Sequence, residues 1–193
     1  MTQEKIYRSL GTVEVEGRTI SGYAVVFNKD SQDFGGIVER IMPGAITEDT
    51  LKSSDIFALF NHEENKVLAR SRYGKGSLDL ELRADGLFYS FEAPNTQTGD
   101  ELIEHLKRGN IFGSSFGFYL VWDRDHMTEY QDGDIVRRDI YKIEGLFDIS
   151  PVFEPAYLDT NCTVRNQELA KKQEEINQKM NKLLSELSEL EAN

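Results

Sequence analysis

The stretch SLDLELRADGLFYSFEA, residues 77–93, alternates apolar and polar side chains, with Leu78, Leu80 and Leu82 set against Asp79, Glu81 and Arg83. A period of two puts the leucines on one face of an extended chain, so the segment reads as a β-hairpin and fits no amphipathic helix. Comparable runs of Val, Ile, Phe and Tyr, separated by Gly, Asp and Asn, recur from Thr12 to about Thr163. TVEVEGRTISGYAVVF predicts a hairpin turning near Glu16-Gly17. A third is predicted at Asp132-Gly133, a pair that readily supplies the positive φ of a tight turn.

Two intervals break the strand pattern. PGAITEDTLKSS predicts a short helix capped by Thr47, whose hydroxyl can accept an exposed backbone N–H while Glu48 and Asp49 suit the positive helix end. TGDELIEHLKRGN predicts a better helix, with Leu102, Ile103 and Leu106 on one stripe and Gly109 as its C-terminal stop. The chain is thus expected to be α+β and dominated by strands.

After Arg165 the composition turns to Glu, Lys, Gln and Leu, with no Gly, Pro or aromatic residue. Leu169, Ile176, Leu183 and Leu190 recur every seven residues, with Gln173, Met180 and Leu187 as companions, which is the pattern of a heptad seam. Two parts are therefore expected, a folded body over residues 1–165 and a helical, coiled-coil tail over 166–193. Such a short seam is marginal as a lone helix, so pairing with another copy, docking on a partner and incomplete folding all stay open.

Charge narrows the partners. The 34 acidic against 22 basic residues leave a formal net charge of -12, which opposes binding to bare nucleic acid through its phosphates. The single cysteine, Cys162, cannot form an intrachain disulfide, and a reducing compartment is the simpler expectation. MTQEKIYRSL lacks the apolar core of a signal peptide, and no stretch approaches the ~18 apolar residues of a membrane span. A soluble protein that contacts no membrane is expected.

Three histidines offer a general base. His62, in DIFALFNHEENKVLAR, follows the apolar run Ile56–Phe60 and falls at the mouth of a predicted strand, where a rigid sheet can hold a side chain at a cleft. His105 and His126 are expected to face solvent. HEENK lacks the second histidine of a helical zinc site, and the spacing of Gly109, Gly113 and Gly117 lacks the Gly-Lys-Ser/Thr ending of a phosphate loop, so neither a metal nor a cofactor is expected. In GNIFGSSFGFYLVW, Ser114 and Ser115 lie between glycines that let a substrate backbone approach. On these residues alone, a tight loop with capped hydroxyls is the commoner reading, and a nucleophile would need a histidine within reach.

The segments SGYAVVFN, GGIVERIMPGAI, NHEENKVLARS, GSLDLELRADGLFYSFEAPNT, GNIFGSSFGFY and LFDISPVFEPAYLDT follow one another in an order that resembles the prohead proteases of tailed bacteriophages. These capsid-maturation serine proteases are related to the herpesvirus assemblins, and the resemblance covers about residues 20–160. It implies a compact β-barrel of mainly antiparallel strands with flanking helices. It also implies that Asn61-His62 carries the general base, His62, and that Ser115–Phe118 carries the nucleophile, Ser115, with Ser114 as its neighbour. Asp148 of Asp148-Ile149-Ser150 becomes the third member, with Glu144 the fallback. Adjacent strand side chains face opposite ways, so only one of the two serines can meet His62.

The implied function is a serine endopeptidase that needs no cofactor. It would cleave capsid or scaffold proteins, and itself, inside an assembling prohead in the host bacterial cytoplasm. Amides near Ser115–Gly117, with Arg70, Arg137 or Arg138, are the candidates for stabilising an oxyanion. A non-catalytic capsid assembly or scaffolding protein acting through the tail, residues 166–193, is the alternative, and self-association through that tail suits both.

Overall fold

The computed structural model describes residues 3–153, and the heptad tail at 166–193 lies outside the described residues. The alternating runs form the hairpins that their spacing predicts. β1 (Gln3–Glu16) returns as β2 (Thr19–Val26), with Gly17 at φ +65° in the turn. β7 (Leu78–Arg83) pairs with β8 (Gly86–Glu92), and β10 (Met127–Asp132) with β11 (Ile135–Ile140) across Gly133 at φ +62°. Positive φ in such tight turns matches the right-handed twist of the strands they join.

Six further strands complete the sheets. They are β3 (Ile37–Ile41), β4 (Asp55–Leu59), β5 (Val67–Arg72), β6 (Lys75–Gly76), β9 (Gly113–Val121) and β12 (Gly145–Val152). Nine strands run in the order β6-β5-β4-β12-β9-β1-β2-β8-β7, and a second sheet runs β10-β11-β3. Pairing is mostly antiparallel, but β12 with β4 and β11 with β3 are parallel. β1 ties the large sheet together, because its first part pairs with β9 and its last residues, from Val13, pair with β2. A register shift between Ser9 and Gly11 falls near this handover, where a bulge adds the bend that redirects a strand.

The expectation of a closed barrel is not met. The two ends of the large sheet, β6 and β7, are not paired with each other. Closure needs a hydrogen-bond ladder between the end strands, and β6, only two residues long, pairs with β5 alone. The result is an open mixed sheet that bends around a core.

That core is fed by alternation. On β9, Phe116, Phe118 and Leu120 point inward and meet Ile56 and Ala58 of β4, Ile149 of β12, and Ile20, Leu87, Tyr89 and Phe91 from the other half. Both predicted helices are present. Thr47 caps α1 (Glu48–Ser53) in a reciprocal capping box with Thr50. Thr96 caps α2 (Gln97–Lys107), which buries Leu102, Ile103 and Leu106 and stops where Gly109 takes φ +70°.

The small sheet is fastened to β1 by charge. Glu39 of β3 is buried between the guanidinium groups of Arg8 and Arg138. Burial alone would push its carboxyl up, but the hydrogen bonds and fields of the two arginines override that and hold it below the usual carboxylate range. Removing one partner would strand a buried charge.

Backbone approach limits the glycine at the start of β8. A Cβ on Gly86 would overlap the Val25 carbonyl oxygen, where β2 and β8 shift register. Gly86→Ala is expected to lower stability by about 1–3 kcal/mol, the usual cost of overpacking. Urea unfolding followed by circular dichroism checks this, and an unchanged midpoint would contradict the close approach.

Candidate active site

The chain leaves β4 at Leu59 and makes a tight loop before β5. Phe60 N–H donates to Lys66 O at 3.0 Å, Glu63 N–H to Phe60 O at 3.1 Å and Lys66 N–H to Glu63 O at 2.8 Å. Within this loop Asn61 and His62 take φ of +52° and +63°. Asn tolerates the left-handed region, whereas His pays about 1–2 kcal/mol there. The loop is pinned to the end of β12, since Asn61 N–H donates to Pro151 O at 3.0 Å and Asn61 Oδ1 accepts from Phe153 N–H at 3.4 Å. Held this way, His62 Nδ1 meets Asp148 Oδ2.

Strand register supplies the rest. β9 lies between β1 and β12, and Ser115 stands directly opposite Ser150 of β12 while Asp148 stands opposite Gly117. Residues opposite each other, and those two apart on one strand, share a face. Ser115, Ser150 and Asp148 therefore lie on one side of the sheet, away from Phe116 and Ile149. Ser150 donates its hydroxyl hydrogen to Asp148 Oδ1 and accepts from Leu59 N–H at 3.3 Å. The carboxylate is thereby held at both oxygens, by Ser150 and by His62. Asp148 is 2% exposed and the His62 side chain 29%, so the acid is shielded while the ring can still be approached.

The two serines of the Gly-Ser stretch separate cleanly. Ser114 points into the core and shares a hydrogen bond of 2.7 Å with the Tyr89 hydroxyl, whose pKa burial pushes up. Ser115 is on the opposite face, with its hydroxyl donating to Arg8 O of β1 at 2.9 Å. Two contributors were not assigned roles from sequence: Ser150 and the Arg8 carbonyl. The i, i+2 spacing of Asp148-Ile149-Ser150 is a signal for Ser150, because it places both polar groups on one strand face. Nothing in the sequence points to Arg8, which is opposite Phe116 only through the β1–β9 register.

Other expected contributors have different partners. Arg70 forks onto Asp55 at 2.7 and 2.5 Å, Arg137 binds Asp132 and Asp30, and Arg138 binds Glu39 and Glu129. Ser115–Gly117 are flanked by ladders on both edges, so their amides lie within the sheet instead of at an open loop. Glu144 bonds His126 Nε2 and Lys142 Nζ, each at 2.6 Å. Of the two carboxylates considered, Asp148 is the one that meets His62.

A profile of the caudovirus prohead serine proteases matches residues 7–175, a span that includes His62, Ser115 and Asp148. The chain belongs to this family. The solved structure of the bacteriophage T4 capsid assembly protease, gp21, is similar in fold, with a TM-score of 0.52 at 12% identity over 79% of this chain and 99% of that one. No curated protein matches the sequence. Membership in a serine protease family makes the chain a maturation protease and decides against the non-catalytic scaffold.

The prohead protease keeps its other two histidines for packing. His105 is half-buried, with its ring 4.8 Å from that of Phe153, and His126 is buried, so neither faces solvent as expected. His126 bridges Asp123 and Glu144, which ties the turn before β10 to the start of β12. Burial would lower its pKa, but its hydrogen bonds to Glu144 and Asp123 outweigh that and raise it. A raised folded-state pKa gives stability that is fully present below the unfolded value of about 6.5 and is lost as pH rises through the folded value. His126→Gln is therefore expected to cost most stability near pH 6 and progressively less toward pH 9. Melting temperatures of parent and variant across that range check the sign, and a gap that widens with pH would overturn it.

Proposed function

We propose that this prohead protease cuts capsid or scaffold proteins, and its own chain, inside the assembling head in the host cytoplasm. In this reading Ser115 is the nucleophile, His62 the general base and Asp148 the residue that orients the imidazole. The observation that carries it is the contact of His62 Nδ1 with Asp148 Oδ2, on the sheet face where β9 also presents Ser115. The family match and the fold shared with a capsid assembly protease support the choice of substrate class.

The chemistry follows from the donors and acceptors in place. With Nδ1–H directed at Asp148, the tautomer leaves Nε2 with the lone pair that a base requires. The Ser115 hydroxyl first leaves the Arg8 carbonyl by rotation about its Cα–Cβ bond, a move between staggered wells. Oγ attacks the scissile carbonyl carbon as its proton passes to Nε2, and the imidazolium is stabilised by Asp148. That proton then goes to the leaving amine, the C–N bond breaks and an acyl-enzyme remains. Water, deprotonated by the same nitrogen, cleaves the ester and restores both residues.

The two serines give a sharp test. Ser115→Ala is expected to lose about 10⁶-fold in kcat. Ser114→Ala removes the core hydrogen bond to Tyr89, so it should cost about 1–3 kcal/mol of stability with processing retained. Co-expression with the capsid protein, read by gel mobility of the processed product, checks both. Processing by Ser115→Ala equal to the parent's would end this assignment.

Asp148 and Ser150 are separable by degree. Asp148→Asn disturbs the imidazole tautomer and is expected to cost about 10⁴-fold in kcat. Ser150→Ala removes one hydrogen bond to the carboxylate and should lower kcat less, with KM unchanged and activity recovered in Ser150→Thr. Steady-state kinetics on a capsid-derived peptide check this, and an effect confined to KM would place Ser150 in substrate binding instead.

A further inference from the structure

Beside Asp148 the sheet face opens into a cleft of about 390 Å³ whose walls include Lys5, Phe57, Glu64, Tyr119, Phe147 and Asp148. Three aromatic rings from three different strands gather there on the outer face, where a sheet facing water would ordinarily carry polar groups. Their placement follows from register. Phe57 of β4 stands directly opposite Asp148 of β12, and Tyr119 of β9 opposite Gly145. The register shift between Leu146 and Asp148 adds one residue to β12, and the Phe147 ring lies over Gly117, where any Cβ would collide with it. Phe147 then packs against Tyr119 with centroids 4.9 Å apart.

Charge decides what such a cleft accepts. Lys5 Nζ lies 5.1 Å from the Phe147 centroid and 5.8 Å from that of Tyr119, while the Arg70 guanidinium lies 4.4 Å from that of Phe57. The ring faces that would attract a substrate cation thus already have cations of their own. Asp55 and Glu64 place carboxylates on the same walls and disfavour an acidic side chain. What neither sign of charge opposes is an uncharged, bulky group that covers the rings.

We propose that this cleft is a specificity subsite of the protease, taking a large apolar side chain, aliphatic or aromatic, from the substrate strand next to the scissile bond. The assignment rests on the catalytic reading above, because Asp148 is both a wall of the cleft and the partner of His62. Phe147 and Phe57 are its specificity-determining residues, and Gly117 is required small so that the Phe147 ring can lie flat across β9.

Binding to the full-length Ser115→Ala protein tests this without turnover. The probes are fluorescent peptides taken from a mapped capsid cleavage site, identical except for Leu, Phe, Asp or Lys at one position, scanned along the site and followed by anisotropy. At one position, Leu and Phe should bind about tenfold to a hundredfold tighter than Asp or Lys, the range expected for burying one apolar side chain. Adding Phe147→Ala or Phe57→Ala should remove most of that difference by weakening the Leu and Phe peptides. Equal binding of all four peptides at every position, no binding, or a preference that survives both substitutions would overturn the proposal. Capsid processing that persists in Ser115→Ala would sink the catalytic reading instead, so the two failures are distinguishable.

Discussion

The antiparallel ladder between β9 and β12 is the constraint on which the site depends. By pairing Ser115 with Ser150 and Gly117 with Asp148, it brings residues more than thirty positions apart in sequence onto one face. A slip of one residue would reverse this, turning Ser114 toward His62 and moving Phe116 and Phe118 out of the core. Register is therefore protected by hydrophobic burial: the same alternation that places two phenylalanines inside places one serine outside. Packing energy and the geometry of the candidate site are two consequences of a single pairing.

Around that ladder, the remaining parts act as supports. The loop after β4 holds His62 in a left-handed conformation that its side chain would not choose, and the Asn61 backbone and side chain bond to the end of β12 and keep it there. Strain of this kind persists only where surrounding contacts over-determine it, here one backbone and one side-chain hydrogen bond of Asn61, and it aims the imidazole at Asp148. Ser150 satisfies the second carboxylate oxygen, so a buried charge is not left without a donor. On the far side of β9, β1 supplies the carbonyl that holds the Ser115 hydroxyl and ties the large sheet to the small one through Arg8 and Glu39.

The same sheet face carries both the proposed catalytic residues and the proposed subsite. The bulge that adds Phe147 to β12 turns its ring across Gly117, immediately beside Asp148. Glycine at position 117 thus leaves the room that the Phe147 ring occupies. The large sheet remains open at β6 and β7, yet its centre is rigid because β12, β9 and β1 are each flanked on both sides. A site built on such strands is positioned more firmly than one carried on loops.

Local chemistry by itself determined the three hairpins, the two helices and the alternation of inward and outward residues along the strands, because period-2 alternation, turn glycines and the Thr47 cap act over a few residues. The order of motifs was enough to nominate His62, Ser115 and Asp148. It took the folded chain to separate Ser114 from Ser115 by face, to match Asp148 instead of Glu144 with His62, to enclose His126 between two carboxylates and to leave the expected barrel open. Each of those outcomes depends on which distant strands become neighbours and in what register, and no spacing along the chain encodes that. Ser150 and the aromatic cleft lie between the two cases: their residue types stand in plain view, but their meaning comes from the strands beside them.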